Sequence, residues 1–281
     1  MESTGFSFHF FADWQNCRRK FFFRRLKNLR QNVQNRRGAQ IGTALHSTLE
    51  SFRTHGDWRT RLWDEFELID FDEASEKREM YAKCLTWTLS WIQRYGANEI
   101  MPEVEQELFY VDPETGMNLS GRLDAVFVTP DLIIEDLKSS SYKDPAAMVQ
   151  SEMNNDQYCH YAILARENYG PNPLIRLNIA YLKPSMPQAF VSDGFSISVE
   201  QQHEYLQGLR FMYWDILDTL KALQNGSLVE RVFPRNSSHC SLFGCEYQPI
   251  CHAFMDKDFF GFYSELTDER ILAMNKAAQT L

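Results

Sequence analysis

The 281-residue chain is 44% apolar and 24% charged, a balance that suits one compact globular domain with a sizeable core and excludes a disordered tail. No stretch reaches the ~18 uninterrupted apolar residues that a membrane span needs. The apolar segment from Phe6 to Phe11 lacks the basic leader of a signal peptide. We therefore expect a soluble, cytoplasmic protein without membrane contact.

The net charge of −9 conceals two opposed charge patches. Nine Lys or Arg residues and no acid lie between Arg18 and Arg37, whereas six acids and no base lie between Glu99 and Glu114. An acidic balance argues against non-specific coating of nucleic acid. The local basic segment nevertheless is compatible with a polyanionic substrate.

The first half of the chain predicts two helices followed by strands. Residues 39–54 carry Ile41, Leu45, Leu49 and Phe52 at helical spacing, and His46 lies just beside this apolar stripe. A long helix follows at 74–95. Alternating polarity then predicts strands at 104–110, 119–128 and 132–138, the last two joined by a turn.

The second half returns to helices and strands in alternation. Asp144 and Pro145 are typical of the start of a helix, and the pattern ends near Gly170. Residues 174–182 and 189–199 read as strands, and residues 200–223 as an amphipathic helix. The order predicts an α/β (α+β) fold with a central mixed sheet flanked by helices.

The predicted hairpin places two carboxylates opposite each other. If its turn is centred on Pro130, Val126 faces Ile134 and Asp124 faces Asp136. Cross-strand partners lie about 5 Å apart at Cβ, where like charges are destabilising unless something compensates. A divalent cation would compensate.

Lys138 lies on the same strand face as Asp136, whereas Glu135 points to the other face. We therefore favour Asp136 as the ligand, although a one-residue shift in register would reverse the choice. Two carboxylates with a nearby lysine suit hydrolysis of a phosphodiester assisted by Mg²⁺ or Mn²⁺, which both accept oxygen ligands. Glu105 or Glu107, on the preceding strand, could complete the metal shell. A solvated hairpin face is the alternative for these residues taken alone.

The six cysteines fall into two groups. Cys84 and Cys159 lie in helical patterns, where a thiol usually acts as a small buried apolar side chain. The other four are Cys17 and a C-terminal group with the spacing Cys240-x4-Cys245-x5-Cys251. Their close spacing indicates a loop folded around a metal rather than a disulfide framework.

Four motifs together resemble a known family. They are Gly42-Thr-Ala-Leu-His46, Gly121-Arg-Leu-Asp124, Ile134-Glu-Asp136-Leu-Lys138 and Gln157-Tyr-Cys-His-Tyr161. Their order resembles that of the PD-(D/E)xK nucleases, above all the RecB/AddB-type branch that includes the CRISPR-associated iron–sulfur exonucleases. The resemblance covers nearly the whole chain and implies a restriction-endonuclease-like core, with residues 1–281 forming a single nuclease domain.

The resemblance also assigns roles to individual residues. It implies that His46, Asp124 and Asp136 bind the metal and that Lys138 is the catalytic lysine. Gln157 and Tyr161 correspond to the pair that lines the DNA path, although spacing alone places them at the edge of the core.

The resemblance further implies that residues 1–38 and 225–281 form an iron–sulfur cluster region, with a [4Fe–4S] cluster bound by Cys17, Cys240, Cys245 and Cys251. Family members usually place two residues between the first two C-terminal cysteines, and this chain has four. Because His239 and His252 flank the group, a Cys/His zinc site is the competing interpretation.

Aromatic residues interrupt the basic run that contains Arg18, Arg19 and Lys20. Cations and aromatics together suit a single strand of DNA, because phosphates bind the cations and bases stack on the rings. Three adjacent aromatics, Phe21 to Phe23, cannot all face one groove, so at least one is expected to pack inside. The alternative is a basic helix that covers the core.

The combined hypothesis is a divalent-metal-dependent DNA nuclease, an exonuclease on single strands or DNA ends that acts in replication, recombination or repair. Enzymes of this pattern are frequent in phages. No phosphate-binding G-x4-G-K-[ST] loop is present, so a motor such as a helicase, or a recombinase, would be a separate partner. The alternative is a non-catalytic iron–sulfur or zinc DNA-binding scaffold.

Overall fold

The computed structural model describes residues 5–31, 37–54, 56–96, 101–128, 130–140, 144–183, 187–238, 240, 245–252 and 263–265. The chain divides into two compact units. The terminal unit comprises Met1–Gln34, Phe109–Gly121 and His203–Leu281, and the central unit comprises Asn35–Leu108 and Arg122–Gln202.

Helices and strands alternate along the described residues. Helices α1 to α10 are Phe8–Asn16, Arg18–Phe21, Arg37–Thr54, Trp58–Glu67, Ala74–Arg94, Pro145–Glu152, Asp156–Tyr169, Val199–Gln224, Val229–Val232 and Gln248–His252, and a π-helical segment, Phe22–Leu26, follows α2. Strands β1 to β8 are Leu29–Gln31, Glu103–Val111, Asn118–Phe127, Ile133–Ser140, Leu174–Tyr181, Ala189–Val191, Phe195–Ser196 and Tyr263–Glu265. Among these residues, no helix combines the length and apolarity required to cross a bilayer.

The predicted α/β order is confirmed, with two predicted elements interrupted and several elements added. The helix predicted at 145–170 is two helices, because Asn155 adopts extended backbone and its side chain accepts a hydrogen bond from the Gln157 amide, which starts α7. The strand predicted at 189–199 breaks at Gly194, whose φ of +100° favours glycine. Helix α4 was not predicted.

The main sheet is mixed, as expected. Its strand order is β2-β3-β4-β5-β6, and β7 also pairs with β5. Strand β4 pairs antiparallel with β3 and parallel with β5, and β6 pairs antiparallel with β5. Strands β1 and β8 form a separate antiparallel pair. Strand β4, which carries the Asp136 motif, therefore lies in the interior of the sheet.

Helices α3, α4 and α5 cover one face of the sheet in the central unit. Leu45, Trp87 and Trp91 are buried in one cluster with Leu137 and Ala180 of the strands. Gly42 lets α3 approach β4 closely, since a Cβ built there would lie 3.3 Å from Ser139 Oγ. This close packing holds the stretch of α3 that follows Gly42 beside the sheet.

The same face of the sheet buries an ionic cluster. Glu135 is only 2% exposed, and its carboxylate accepts hydrogen bonds from Arg53, Arg176 and Asn178. The Arg53 guanidinium also lies over the ring of Trp91, with 5.1 Å between Cζ and the centroid. Buried charges need this degree of pairing, because desolvation otherwise penalises the charged form.

The terminal unit has an aromatic core to which the predicted base-stacking residues belong. Phe21, Phe22 and Phe23 are 0%, 3% and 0% exposed. Phe21 packs edge-on against Trp14, and Phe22 contacts Phe233 at 5.2 Å between centroids. We expected at least one of the three rings to pack inside, and all three do. None of them is therefore available to stack on a base.

We expect Glu135→Gln to destabilise the protein by about 3–5 kcal/mol, because it removes a charge that pairs with the buried Arg53 cation. Urea unfolding monitored by circular dichroism measures this loss. The control Glu65→Gln, which removes an i,i+4 pair with Arg61, should change stability by less than about 1 kcal/mol. Equal effects of the two variants would show that the buried cluster contributes no special stability.

Candidate functional site

Helix α3 and strand β3 bring a histidine and a carboxylate together. Nδ1 of His46 lies 3.3 Å from Oδ1 of Asp124. The other carboxylate oxygen, Oδ2, accepts a hydrogen bond of 2.8 Å from the backbone N–H of Leu137 on β4. Both oxygens of Asp124 are therefore oriented, one toward the helix and one toward the neighbouring strand.

The predicted hairpin register is confirmed at Val126, which pairs with Ile134. Strands β3 and β4 pair from Phe127 opposite Ile133 to Ala125 opposite Glu135. One position further, the Asp124 carboxylate turns toward the Leu137 amide. The two carboxylates remain close enough for the Asp124 charge to raise the pKa of Asp136.

Glu105 joins these two residues from β2. Its backbone φ is +50°, in the left-handed region that non-glycine residues rarely adopt. Such strain persists where the surrounding structure imposes it, and it is concentrated at functional sites. One ligand atom each from His46, Glu105 and Asp124 lies within 4.8 Å of the other two.

This spacing fits one hard divalent cation. Ligands in octahedral positions about 2.1 Å from Mg²⁺ lie about 3 Å apart when adjacent and about 4.2 Å apart when opposite. The three donors are an imidazole nitrogen and two carboxylate oxygens, which suits Mg²⁺ and Mn²⁺. The chemistry and the separation of the donors therefore both fit such an ion.

Asp136 and Lys138 lie on the opposite face of β4 from Glu135, as period-two alternation predicts. Oδ2 of Asp136 lies 2.9 Å from Nζ of Lys138 and accepts a 3.0 Å hydrogen bond from the Tyr158 hydroxyl. Among the described residues, Oδ1 has no hydrogen-bond partner. Asp136 lies outside the group that meets the 4.8 Å spacing.

The environments of the two aspartates shift their acidities in opposite directions. Burial and then the nearby Asp124 charge raise the pKa of Asp136, although Lys138 opposes them. Burial also acts on Asp124, but the hydrogen-bonded His46 and the Leu137 amide outweigh it and lower its pKa. Carboxylates whose pKa values are pushed apart in this way are typical of catalytic sites.

The two basic groups of the site are stabilised in their charged forms. Burial disfavours the His46 cation, but the Asp124 carboxylate outweighs that penalty and raises the pKa of His46. Burial likewise opposes charge on Lys138, and Asp136 more than compensates, so that the pKa of Lys138 is raised. Lys138 is therefore an ammonium ion at neutral pH.

Helix α7 supplies the residues on the Asp136 side. Gln157 is 8% exposed, and its Nε2 donates a 2.8 Å hydrogen bond to the Tyr161 hydroxyl. Burial and the Asp136 charge raise the pKa of Tyr161 to about 12, so its phenol is neutral. The Gln157–Tyr161 pair thus belongs to the electrostatic surroundings of Asp136.

A small, partly open cleft lies on the His46 side. Its lining combines acidic, basic and apolar side chains: His46, Leu49, Glu50, Arg53, Glu105, Asp124, Glu135 and Leu137. The three candidate cation ligands line this cleft, so their donor atoms face an opening rather than a packed core.

The predicted DNA-contacting cations are engaged within the terminal unit. Arg19 is 7% exposed and donates to the Phe233 carbonyl, which corrects its assignment from DNA contact to packing. Lys20 lies 3.5 Å from Asp13, and 18% of its side chain is exposed. Arg18 pairs with Asp215 and keeps 38% of its side chain exposed.

The four cysteines proposed to bind a metal lie in the terminal unit as free thiols: Cys17, Cys240, Cys245 and Cys251. Sγ of Cys17 accepts a 3.3 Å hydrogen bond from the Asn236 amide. Burial raises the pKa of Cys245 to about 11, and the thiols of Cys240 and Cys17 also act on it. Burial raises the pKa of Cys251, Arg19 opposes this effect, and the Cys17 and Cys240 thiols add to it. Cys17 and Cys240 therefore act on both Cys245 and Cys251.

The competing zinc interpretation depends partly on residues outside the described part of the chain. His239 and the side chain of His252 lie outside it, as does the spacer 241–244. Cys84, by contrast, is fully buried in the core of the central unit, as predicted.

The sequence motifs predict roles for His46, Asp124, Asp136 and Lys138 but not for two further features of the site. Tyr158 was treated only as part of a motif, although its hydroxyl contacts Asp136. The Arg53–Glu135 pair at the cleft was also missed. Neither has a sequence signal, because both depend on contacts between residues 22 and 82 positions apart.

Known proteins resemble this chain at the level of fold and family. A search of curated proteins finds no match. A solved structure of a candidate exonuclease from Eubacterium rectale is similar in fold, with a TM-score of 0.54 and 14% identity over 80% of this chain and 82% of that chain. A second solved structure, SSO0001, shares 13% identity over 76% of this chain and 84% of that chain, with a TM-score of 0.31.

Residues 6–252 match the family described as the PD-(D/E)XK nuclease superfamily. The match spans most of the chain and includes His46, Asp124, Asp136 and Lys138. The central mixed sheet and its flanking helices are the restriction-endonuclease-like architecture that the sequence predicted. The chain belongs to the PD-(D/E)XK nuclease superfamily.

Proposed function

We propose that this nuclease cleaves DNA with the help of a divalent cation and acts as an exonuclease on single strands or DNA ends. The observation that carries the proposal is the convergence of His46, Glu105 and Asp124 beside the Asp136–Lys138 pair. This arrangement supplies a cation site and a half-buried ammonium group within one unit of the fold.

The proposed cation ligands are His46, Asp124 and Asp136, with Glu105 as a fourth. His46, Glu105 and Asp124 already have the required spacing. Two observations support Asp136 as a further ligand. Its Oδ1 has no hydrogen-bond partner among the described residues, and the nearby Asp124 charge raises its pKa. When bound, Mg²⁺ or Mn²⁺ supplies Lewis-acid polarisation of the phosphoryl group.

Lys138 contributes a fixed positive charge to the reaction. Its ammonium is held by Asp136 at 2.9 Å and lies 5.9 Å from the centre of the Tyr158 ring. A pre-positioned cation in a partly buried site stabilises negative charge as it develops on phosphoryl oxygens. Tyr158 fixes Asp136 and thereby fixes the position of the ammonium.

DNA is the proposed substrate because the site combines anion-stabilising groups with an α7 surface that offers amide and phenol groups. Gln157 and Tyr161 correspond to the family pair that lines the DNA path, and their hydrogen bond lies beside Asp136. Arg18 and Lys20 remain proposed phosphate contacts through the exposed parts of their side chains.

The exonuclease mode draws on the family resemblance and on the description of the Eubacterium rectale protein as a candidate exonuclease. A role in replication, recombination or repair, a phage origin and a separate helicase or recombinase partner belong to the same proposal. The second candidate is a non-catalytic DNA-binding scaffold. It is disfavoured because a scaffold has no need of the buried Asp136–Lys138 pair.

We further propose that Cys17, Cys240, Cys245 and Cys251 bind a [4Fe–4S] cluster that joins the segments 1–38 and 225–281. The effect of Cys17 and Cys240 on the pKa values of Cys245 and Cys251, and the N–H donated to Cys17 Sγ, support this assignment. Amide donors to sulfur are a common means of tuning such clusters.

The described thiols do not have the spacing of a tetrahedral zinc site. Zn–S bonds of about 2.3 Å in a tetrahedron place the sulfurs about 3.8 Å apart. Within the described residues, no three of these cysteines have sulfurs within 4.8 Å of one another. A cubane cluster is larger than a single ion and holds its thiolates farther apart.

We expect Lys138→Ala to lower the rate of DNA cleavage by at least about 10²-fold, because a charge that stabilises the transition state is lost. Cleavage of end-labelled single- and double-stranded DNA and fluorescence anisotropy measure rate and binding separately. DNA binding should survive, and the control Lys83→Ala on α5 should behave as the wild type. A matching loss of binding would support the scaffold instead.

We expect Mn²⁺ affinity to weaken as the pH falls, starting above the ordinary imidazole pKa of 6.5. The reason is that the neutral imidazole binds the ion and the raised pKa of His46 brings proton competition to higher pH. Affinity should fall by about tenfold per pH unit once one proton competes. Titration of Mn²⁺ by electron paramagnetic resonance measures it, and His46→Asn should flatten the profile. An unchanged profile in that variant would remove His46 from the ligand set.

We expect anaerobically purified protein to be brown, with broad absorption near ~400 nm and bound iron and sulfide. Cys17→Ser and Cys251→Ser should lose the colour and lower the thermal stability, because metal binding supports folding. The control Cys159→Ser on α7 should retain both. A colourless preparation containing one zinc ion would overturn the cluster assignment.

A further inference from the structure

Arg122 lies at the edge of the candidate cation site. It is the arginine of the Gly121-Arg-Leu-Asp124 motif, two residues before Asp124 on β3, so the two side chains share a strand face. Nε of Arg122 lies 2.8 Å from Oε2 of Glu105. The Arg122 side chain is 73% exposed and that of Glu105 is 24% exposed.

Arg122 and the cation compete for the Glu105 carboxylate. An exposed ion pair contributes little to stability, because water screens it. A divalent ion held by His46 and Asp124 as well would interact with Glu105 more strongly than one exposed guanidinium does. Cation binding therefore weakens the hold of Arg122 on Glu105.

Glu105 leaves β2 from an unusual backbone position. Its φ of +50° fixes the direction of the Cα–Cβ bond, and this direction does not depend on Arg122. The point from which the side chain reaches the site is therefore unchanged when Arg122 moves away.

The charge balance of the site leaves a place for one more cation. Glu50, Glu105, Asp124 and Asp136 carry four negative charges, of which a divalent ion and the Lys138 ammonium offset three. A phosphodiester then adds one negative charge. A guanidinium offers five N–H donors, and those on the two terminal nitrogens of Arg122 have no partner among the described residues.

We propose that Arg122 pairs with Glu105 in the absence of the cation and contacts a substrate phosphate once the cation has taken that carboxylate. The inference rests on the proposed function, since it concerns the substrate of the same site. Arg122 is then a substrate-binding residue whose guanidinium becomes available only when the site is loaded. Binding of the cation and binding of the DNA strand are therefore coupled through Arg122.

The test measures cation binding and strand binding in Arg122→Ala and Arg122→Lys. Mn²⁺ titration by electron paramagnetic resonance should show wild-type or tighter affinity in Arg122→Ala. Anisotropy of a short fluorescein-labelled single strand is measured in the Lys138→Ala background with Mn²⁺. There, Arg122→Ala should weaken binding by about tenfold and reduce the slope of log K against log salt by about 0.7, the loss of one phosphate contact. Arg122→Lys should retain the salt slope, because it keeps the charge.

Arg61→Ala is the matched control, since it removes another exposed guanidinium paired with a carboxylate at 2.8 Å, on α4. It should change neither measurement. Wild-type strand binding in Arg122→Ala, or a tenfold loss of its Mn²⁺ affinity, would overturn the proposal. Neither assay requires hydrolysis, so failure of the wild type to cleave DNA would reject the nuclease proposal while the effect of Arg122 on binding still decides this one.

Discussion

The crowding of carboxylates around one histidine is the constraint on which the site depends. Asp124, Asp136 and Glu105 approach His46 closely enough to alter its pKa. Like charges at such separations are unfavourable unless cations or hydrogen-bond donors offset them. The structure offsets each one separately: His46 beside Asp124, Lys138 beside Asp136, and Arg122 beside Glu105. Each of these pairings identifies a negative charge that a divalent ion can stabilise further.

The two faces of strand β4 have different roles: one packs into the interior and the other carries Asp136 and Lys138. Glu135 and Leu137 face α3 to α5, where one joins the buried ionic cluster and the other the apolar core. Asp136 and Lys138 face the opposite side, where Tyr158 of α7 meets them. Because a strand interior to a sheet has little freedom, anchoring one face fixes the other. The buried cluster at Glu135 therefore contributes to the accuracy of the site as well as to stability.

The terminal unit illustrates a different principle, because it joins segments far apart in the chain. Arg19 reaches the Phe233 carbonyl and Asn236 donates to Cys17, across more than 200 residues in each case. The basic run that suggested DNA contact is largely engaged in this packing. A cluster bound by the four cysteines would crosslink the same segments, which gives it a structural role in the proposal.

The sequence by itself determined the α/β order, the hairpin register at Val126 and Ile134, and the alternation that separates Asp136 from Glu135, because local periodicity controls these features. It also supplied the four motif residues, through resemblance. Only the tertiary structure decided that Glu105 joins His46 and Asp124, that Asp124 turns to the Leu137 amide, and that Arg19 is buried. These outcomes depend on long-range packing and on a strained backbone angle, which no local pattern records.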